Sequence, residues 1–467
     1  MNEKPCACDS SDALPHPGRR DVLRFLGAGA AAAGVASLPG VARADGGTAQ
    51  SPEMFVFIHA SGGWDVTLWA DPRNEKRGLI APATTENTDP TGVRNWVDAP
   101  FDEGIRTFKP VQPPGSNLVF GPGIGDLATM FDRLCIINGL AMNTVSHPDG
   151  SAFSTTGRHL VGGRAPSPSV DTAMANEFGR EQLFPVISVS YPSFFVGDDL
   201  DRRVVPLVIG SIGSITRTLS RSQAYDTDDD RDLVTAMLSD EAHDLAKKAN
   251  YPGVLDGMGQ QLDLLRKMLK GNLQDVFSAE ALKKNRPEFN YKGRFHGNNA
   301  VNAAFAVEAM KRNLVRCVSF ALGGFDTHAN NYKTHALLQQ EVFDLIATLV
   351  RVLDASPHPT KQGAKLSDHT HIVVVSDFCR TPQINRGMGR DHYPNNSALV
   401  ISPRFKGNFS FGKADAEQLL PVATKDFKSG KRAIAPPDLI TTLFKSVGVE
   451  ARKYLRDGEV VAELLRA

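Results

Sequence analysis

Net charge is absent from this chain: its 467 residues carry 52 basic and 52 acidic side chains. No global field therefore draws it toward nucleic acid or anionic lipid. Cysteine is scarce as well, with five residues in all. Cys6 and Cys8 sit near the start, and Cys135, Cys317 and Cys379 form no Cys-x-x-Cys pair. Neither a disulfide framework nor a cysteine zinc site is indicated on that count. What is there, 41% hydrophobic and 22% charged residues, fits a water-soluble globular protein with room for a large core. The length allows two or three domains, or one large α/β core with an excursion.

The first 44 residues read as an address. Paired Arg19 and Arg20 precede the apolar stretch Phe25 to Leu38, only 14 residues of mainly alanine and glycine, too short for a stable membrane anchor. Ala42-Arg43-Ala44 then offers the small-x-small pattern of a signal peptidase site. Together they resemble a twin-arginine export signal. The expectation is a periplasmic or extracytoplasmic protein starting near Asp45, handled by the twin-arginine machinery and without a membrane anchor after cleavage.

Beyond the leader, continuous apolar runs mark buried strands at Met54 to His59, Leu134 to Asn138, Pro185 to Val189, Val204 to Ile209, Cys317 to Leu322, His371 to Val375 and Ala398 to Ile401. Helical periodicity fills Val170 to Glu177, Ala300 to Leu314 and His335 to Leu353. The alternation predicts an α/β fold, a doubly wound and mainly parallel sheet with helices on both faces, whose ligand site lies at the carboxyl ends of the strands. Two stretches leave this rhythm. Asp71 to Pro114 reads as a surface excursion, and about 226–292 as a helical insertion opened by an acidic run that lacks the glycine and glutamate of an EF-hand.

The common signatures fail. Gly407 to Ala414 copies a P-loop except that Ala414 stands where a hydroxyl must hold magnesium. No G-x-S-x-G elbow and no H-E-x-x-H occurs. What remains is carboxylates and imidazoles after strands: Asp65 after Gly62-Gly63-Trp64, Asp326 and His328 after Gly323-Gly324-Phe325, Asp377 after the strand ending at Val375, and His392 in Gly389-Arg390-Asp391-His392. A parallel sheet brings these loops to one edge. Such oxygen and imidazole donors suit a divalent metal, zinc first, with manganese, iron, magnesium and calcium also open. Each residue taken alone could equally cap a helix or form a turn. Arg380 and Arg390 are candidate clamps for an anionic substrate.

These four motifs, in this order behind a twin-arginine leader, resemble the bacterial family called domain of unknown function 1501, itself similar to the alkaline phosphatase and sulfatase superfamily. The resemblance implies that superfamily's fold, with Asp65, Asp326, His328, Asp377 and His392 as metal ligands. It also implies hydrolysis of a small phosphate or sulfate ester. Two departures stand out. Phe378 occupies the place of a histidine ligand, and His147 occupies the nucleophile's place, ten residues before Gly157. His147 could ligate a second metal, act as nucleophile, or serve as general base for Ser146 or a water. The departures keep open a catalytically silent protein that binds a metal or anion and serves as partner or assembly factor. A scaffold using the helical insertion is a third reading. His59 is expected to pack near the site without binding.

Overall fold

The computed structural model describes residues 51–72, 110–214, isolated positions between 233 and 247, 273–291, 296–329, 331–383, 385–387 and 389–466. The chain divides into two compact units, residues 1–49 with 225–267 and residues 50–224 with 268–467. The second unit carries the fold that follows. The expected export leader, most of the expected surface excursion and most of the expected helical insertion lie outside the described residues. The described end of the insertion forms two short helices, Gln274–Phe277 and Ala279–Asn285.

In chain order the described strands are Met54–Ala60 (β1), Leu134–Asn138 (β2), Phe184–Val189 (β3), Leu207–Ile209 (β4), Val315–Leu322 (β5), Thr370–Ser376 (β6), Cys379–Arg380 (β7), His392–Tyr393 (β8), Ala398–Ile401 (β9), Phe409–Gly412 (β10), Lys425–Phe427 (β11) and Gly430–Arg432 (β12). Eight of them form one sheet in the order β10-β2-β9-β6-β1-β5-β3-β4. The sheet is parallel except at β9, which runs antiparallel to both β2 and β6. β10 was not expected: Phe409–Gly412 lies inside the false P-loop and pairs in parallel with β2.

Helices cover both faces, which is why the central strands are apolar at every position rather than at alternate ones. Met54, Val56, Ile58 and Ala60 of β1 share one core with helices His296–Lys311 and Asn331–Ala355. Phe55 and Phe57 share the other with helices His147–Thr156, Val170–Phe178 and Pro436–Ser446. We name these helices in chain order α1 (His147–Thr156), α2 (Val170–Phe178), α3 (His296–Lys311), α4 (Asn331–Ala355) and α5 (Pro436–Ser446). Among the described residues, no helix is long and apolar enough to cross a membrane.

Register decides where the chemistry falls. Ala60 pairs with Leu322 on one side and Ser376 on the other, so β1, β5 and β6 end level. Their following loops carry Asp65, Asp326 with His328, and Asp377. Because β9 runs the other way, it begins at the edge where its neighbours end, and His392 just before it arrives at the same place.

Candidate metal centre

Three histidines converge on one carboxylate oxygen. Asp326 Oδ1 lies 3.4 Å from His147 Nε2, 3.0 Å from His328 Nε2 and 3.2 Å from His392 Nε2. His328 Nε2 and His392 Nε2 are themselves 3.0 Å apart. Among the described residues, His147, Asp326 and His392 place one ligand atom each within 4.8 Å of one another and could hold a metal ion.

Each ring has its far nitrogen facing an acceptor. His147 Nδ1 is 2.7 Å from Asp377 Oδ2, His328 Nδ1 is 2.7 Å from Asp391 Oδ1, and His392 Nδ1 is 2.9 Å from the Val145 carbonyl. An acceptor at Nδ1 draws the ring's proton there and leaves the Nε2 lone pair pointing inward. That tautomer is inferred from the partners. Three lone pairs and a carboxylate oxygen repel one another; Arg380 Nη2, 2.7 Å from Asp326 Oδ1, offsets part of this, and a cation among the three rings would offset the rest. His147 Nε2 is buried with no hydrogen-bond partner, an orphaned donor site aimed at the cluster.

Local structure explains the placement. α1 starts at His147 with Pro148 as its second residue and ends in left-handed Gly157. Its first turn is pressed on the β6 end: a Cβ on Gly150 would stand 2.4 Å from the Asp377 carbonyl oxygen. Gly62, at φ 116°, lets the loop after β1 pass as close to the Asp326 backbone nitrogen, where a Cβ would sit at 2.4 Å. β7 and β8 pair Arg380 with His392. Phe378, fully buried, places its ring 4.9 Å from that of His147 and 4.6 Å from that of His392. It packs against two of the imidazoles.

Asp377 sits behind the cluster, not in it. Its Oδ2 accepts from the Gly62 N–H at 2.9 Å as well as from His147, and its Oδ1 faces Ser151 Oγ at 2.8 Å and His59 Nε2 at 3.1 Å. Burial opposes its ionisation, but His59, His147 and Ser151 outweigh that and hold its pKa far below the usual carboxylate range. The His147 pKa is raised, chiefly by the hydrogen bond to Asp377. Asp326 is held at about 2; partial burial acts against this, and Arg380, His392 and His147 overcome it.

Asp65, expected among the ligands, is drawn into a buried network instead. Its Oδ1 accepts from Thr67 N–H at 3.0 Å and Thr67 Oγ1 at 2.6 Å, and its Oδ2 accepts from Asn331 Nδ2 at 2.7 Å and lies 3.4 Å from Arg390 Nε. Its own N–H donates to His335 Nε2 at 2.7 Å, and its carbonyl accepts from Gln339 Nε2 at 2.9 Å. Thr327 Oγ1 closes the network, 2.8 Å from His335 Nδ1 and 2.6 Å from Asn331 Oδ1. Asp65 thereby anchors the loop that carries Asp326 and His328. Burial pushes the His335 pKa down to about 3, so that ring is neutral. The signal for this network was in the sequence: Asn331, His335 and Gln339 recur every four residues on one face of α4.

The two arginines expected to clamp a substrate are fully buried. Arg380 donates through Nε to the Gly63 carbonyl at 2.7 Å, through Nη1 to the Arg390 carbonyl at 3.1 Å, and through Nη2 to the Gly62 carbonyl and to Asp326 Oδ1 at 2.7 Å. Arg390 Nη1 donates to the Thr381 carbonyl at 3.1 Å. Both are internal struts. Ser146 is exposed at the N-cap of α1, where its hydroxyl makes no capping bond.

Fold and site together define an α/β protein with a cluster of histidines and one aspartate at the carboxyl edge of its sheet. The chain belongs to the family described as "Protein of unknown function (DUF1501)", whose model matches residues 54–459. No curated protein matches it. Among solved structures it is similar to Ps i-CgsB, at 12% identity and a TM-score of 0.36, covering 88% of this chain and 76% of that one. The same protein in complex with k-i-k-neocarrahexaose matches at 11% identity and a TM-score of 0.35, covering 86% and 74%. A Bacteroides thetaiotaomicron protein, BT33494S-sulf, from work on the metabolism of multiple glycosaminoglycans, matches at 8% identity and a TM-score of 0.31, covering 85% and 73%. Likenesses this weak carry no chemistry over to this chain.

Proposed function

We propose that this chain is an exported metal-dependent hydrolase of phosphate or sulfate esters. One divalent cation, zinc foremost, is held by His147, Asp326 and His392, with His328 as the fourth donor. The observation that carries the reading is the set of separations around Asp326 Oδ1, 3.0 to 3.4 Å. Donors about 2.0–2.1 Å from a tetrahedral zinc stand roughly 3.3–3.4 Å from one another, so these spacings are near those of a coordination shell. Three imidazoles favour zinc, manganese or iron over magnesium and calcium, which prefer oxygen.

A bound divalent cation supplies Lewis acidity, neutralising charge on an ester oxygen and making water more acidic. The chain's own groups do the rest. Asp377, Asp391 and the Val145 carbonyl hold the three rings in the orientation that presents Nε2. Phe378 keeps one side of the cluster apolar. The side chains of Asp326 and His328 are half exposed, at 50% and 48%, so an anionic ester reaches the cluster from solvent. Zinc-loaded protein from Asp45 onward should hydrolyse at least one ester in a panel of aryl and sugar phosphates and sulfates. His147→Ala combined with His392→Ala should abolish it.

One observation favours a second reading, a silent metal-binding protein that serves as partner or assembly factor. Arg380 and Arg390 are both buried, so neither offers a guanidinium to the substrate. Stoichiometric zinc with no turnover on any ester of the panel would select that reading.

A further inference from the structure

We propose that His59 is a positioning residue for His147, acting through the Asp377 carboxylate; this rests on reading His147 as a metal ligand. His59 is the penultimate residue of β1 and has no exposed surface. Its Nε2 lies 3.1 Å from Asp377 Oδ1 and 3.4 Å from Ser154 Oγ, and its Nδ1 lies 2.9 Å from Ser61 Oγ. Both ring nitrogens are thus engaged away from the histidine cluster.

An ionised carboxylate only accepts, so His59 must present Nε2–H to Asp377, and in the neutral ring Nδ1 then accepts the Ser61 hydroxyl proton. Asp377 is then gripped at both oxygens, by His59 and Ser151 on Oδ1 and by Gly62 and His147 on Oδ2. A carboxylate fixed at both ends cannot turn. Its Oδ2 stays in line with His147 Nδ1, and the His147 ring keeps the tautomer and tilt that direct Nε2 at Asp326. The line Ser61, His59, Asp377, His147 is a chain of four groups in which each sets the proton position of the next. Without His59, Oδ1 keeps only the Ser151 hydroxyl, and the grip on His147 becomes one-sided.

The test uses the mature chain with 15N-labelled histidine, metal-free and titrated with zinc. In wild-type protein, at a pH high enough to leave the ring neutral, the metal-free His147 ring should show a single Nδ1–H tautomer. His59→Leu should give a mixture of tautomers and a zinc Kd about 10- to 100-fold weaker. His59→Gln, which restores an N–H donor, should recover the single tautomer and most of the affinity. A merely packing role predicts that Leu and Gln behave alike. Equal losses in the two variants, or a Leu variant with wild-type tautomer and Kd, would overturn the proposal. If the Leu variant does not fold, Ser61→Ala replaces it: loss of the single His147 tautomer supports the chain of bonds, and its retention refutes it. Wild-type protein that binds no zinc would refute the metal reading alone, because the tautomer comparison needs no metal.

Discussion

Gly150→Ala sets two effects of opposite sign against each other. Alanine inside a helix is worth about 1 kcal/mol over glycine, and Gly150 lies inside α1. On propensity alone the variant gains stability. The structure forbids that gain, because the new Cβ would stand 2.4 Å from the Asp377 carbonyl oxygen, 3.0 Å from its carbonyl carbon and 3.1 Å from Phe378 Cδ1. Ordinary contact needs about 3.5 Å, so α1 must retreat by roughly 1 Å from the end of β6. The nearest obstacle is backbone and cannot swing aside. Overpacking of this kind costs about 1–3 kcal/mol, which cancels or exceeds the propensity gain. The same retreat pulls His147 Nδ1 away from Asp377 and Nε2 away from Asp326. The expected outcome is an unfolding free energy equal to or below wild type by up to about 2 kcal/mol, together with weaker zinc binding. Urea unfolding and zinc titration measure both. A variant more stable by about 1 kcal/mol with unchanged zinc Kd would show that α1 is not pressed on the Asp377 backbone as described.

Three further outcomes are expected. Asp377→Asn should keep the fold but weaken zinc binding about 10- to 100-fold, because the amide can turn its nitrogen toward His147; an unchanged Kd in a chelator competition would contradict the orienting role. At the opposite end of β1, burial opposes the ionisation of Glu53, but His371 at 2.5 Å and Arg404 at 3.1 Å outweigh it and bring the pKa from 4.5 to about 2. A depressed carboxyl stabilises the fold above its unfolded pKa and loses that contribution as pH falls through the folded one. The stability difference between wild type and Glu53→Gln should therefore be larger above pH 4.5 and shrink toward pH 2; a difference independent of pH over that window would refute the pairing. Replacing Arg19 and Arg20 by lysine should leave the precursor uncleaved in the cytoplasm, and fractionation showing normal export would exclude the twin-arginine route.

Much of the fold was legible because strands buried on both faces need apolar residues at every position, and β1, β2, β5 and β6 have them. Strand direction has no such trace, so nothing in Ala398–Ile401 reveals that β9 is antiparallel. β10 escaped because Phe409-Ser-Phe-Gly412 is only partly buried and carries no continuous apolar run. In the site, Asp326, His328 and His392 were legible as donors that a parallel sheet gathers at one edge, whereas His147 was singled out only through the family resemblance, as a catalytic candidate. Whether a carboxylate faces solvent or the interior depends on what packs over it, and that divides Asp326 from Asp65. Asp65 is covered by α4 through residues 270 or so positions away in the chain. Arg380 and Arg390 are read wrongly as clamps for the same reason. Their partners are mostly backbone carbonyls of the turns around them, and carbonyls leave no mark in a sequence.

The most direct measurement is the metal content of protein purified from Asp45 onward, compared with His147→Ala, His392→Ala and Asp65→Asn variants after identical zinc loading and desalting. A coordination centre on His147, Asp326 and His392 predicts one tightly held ion in wild type and none in either histidine variant. The Asp65→Asn variant should still bind the ion as long as it folds. No ion in wild type, or an ion that survives both histidine replacements, would contradict the centre.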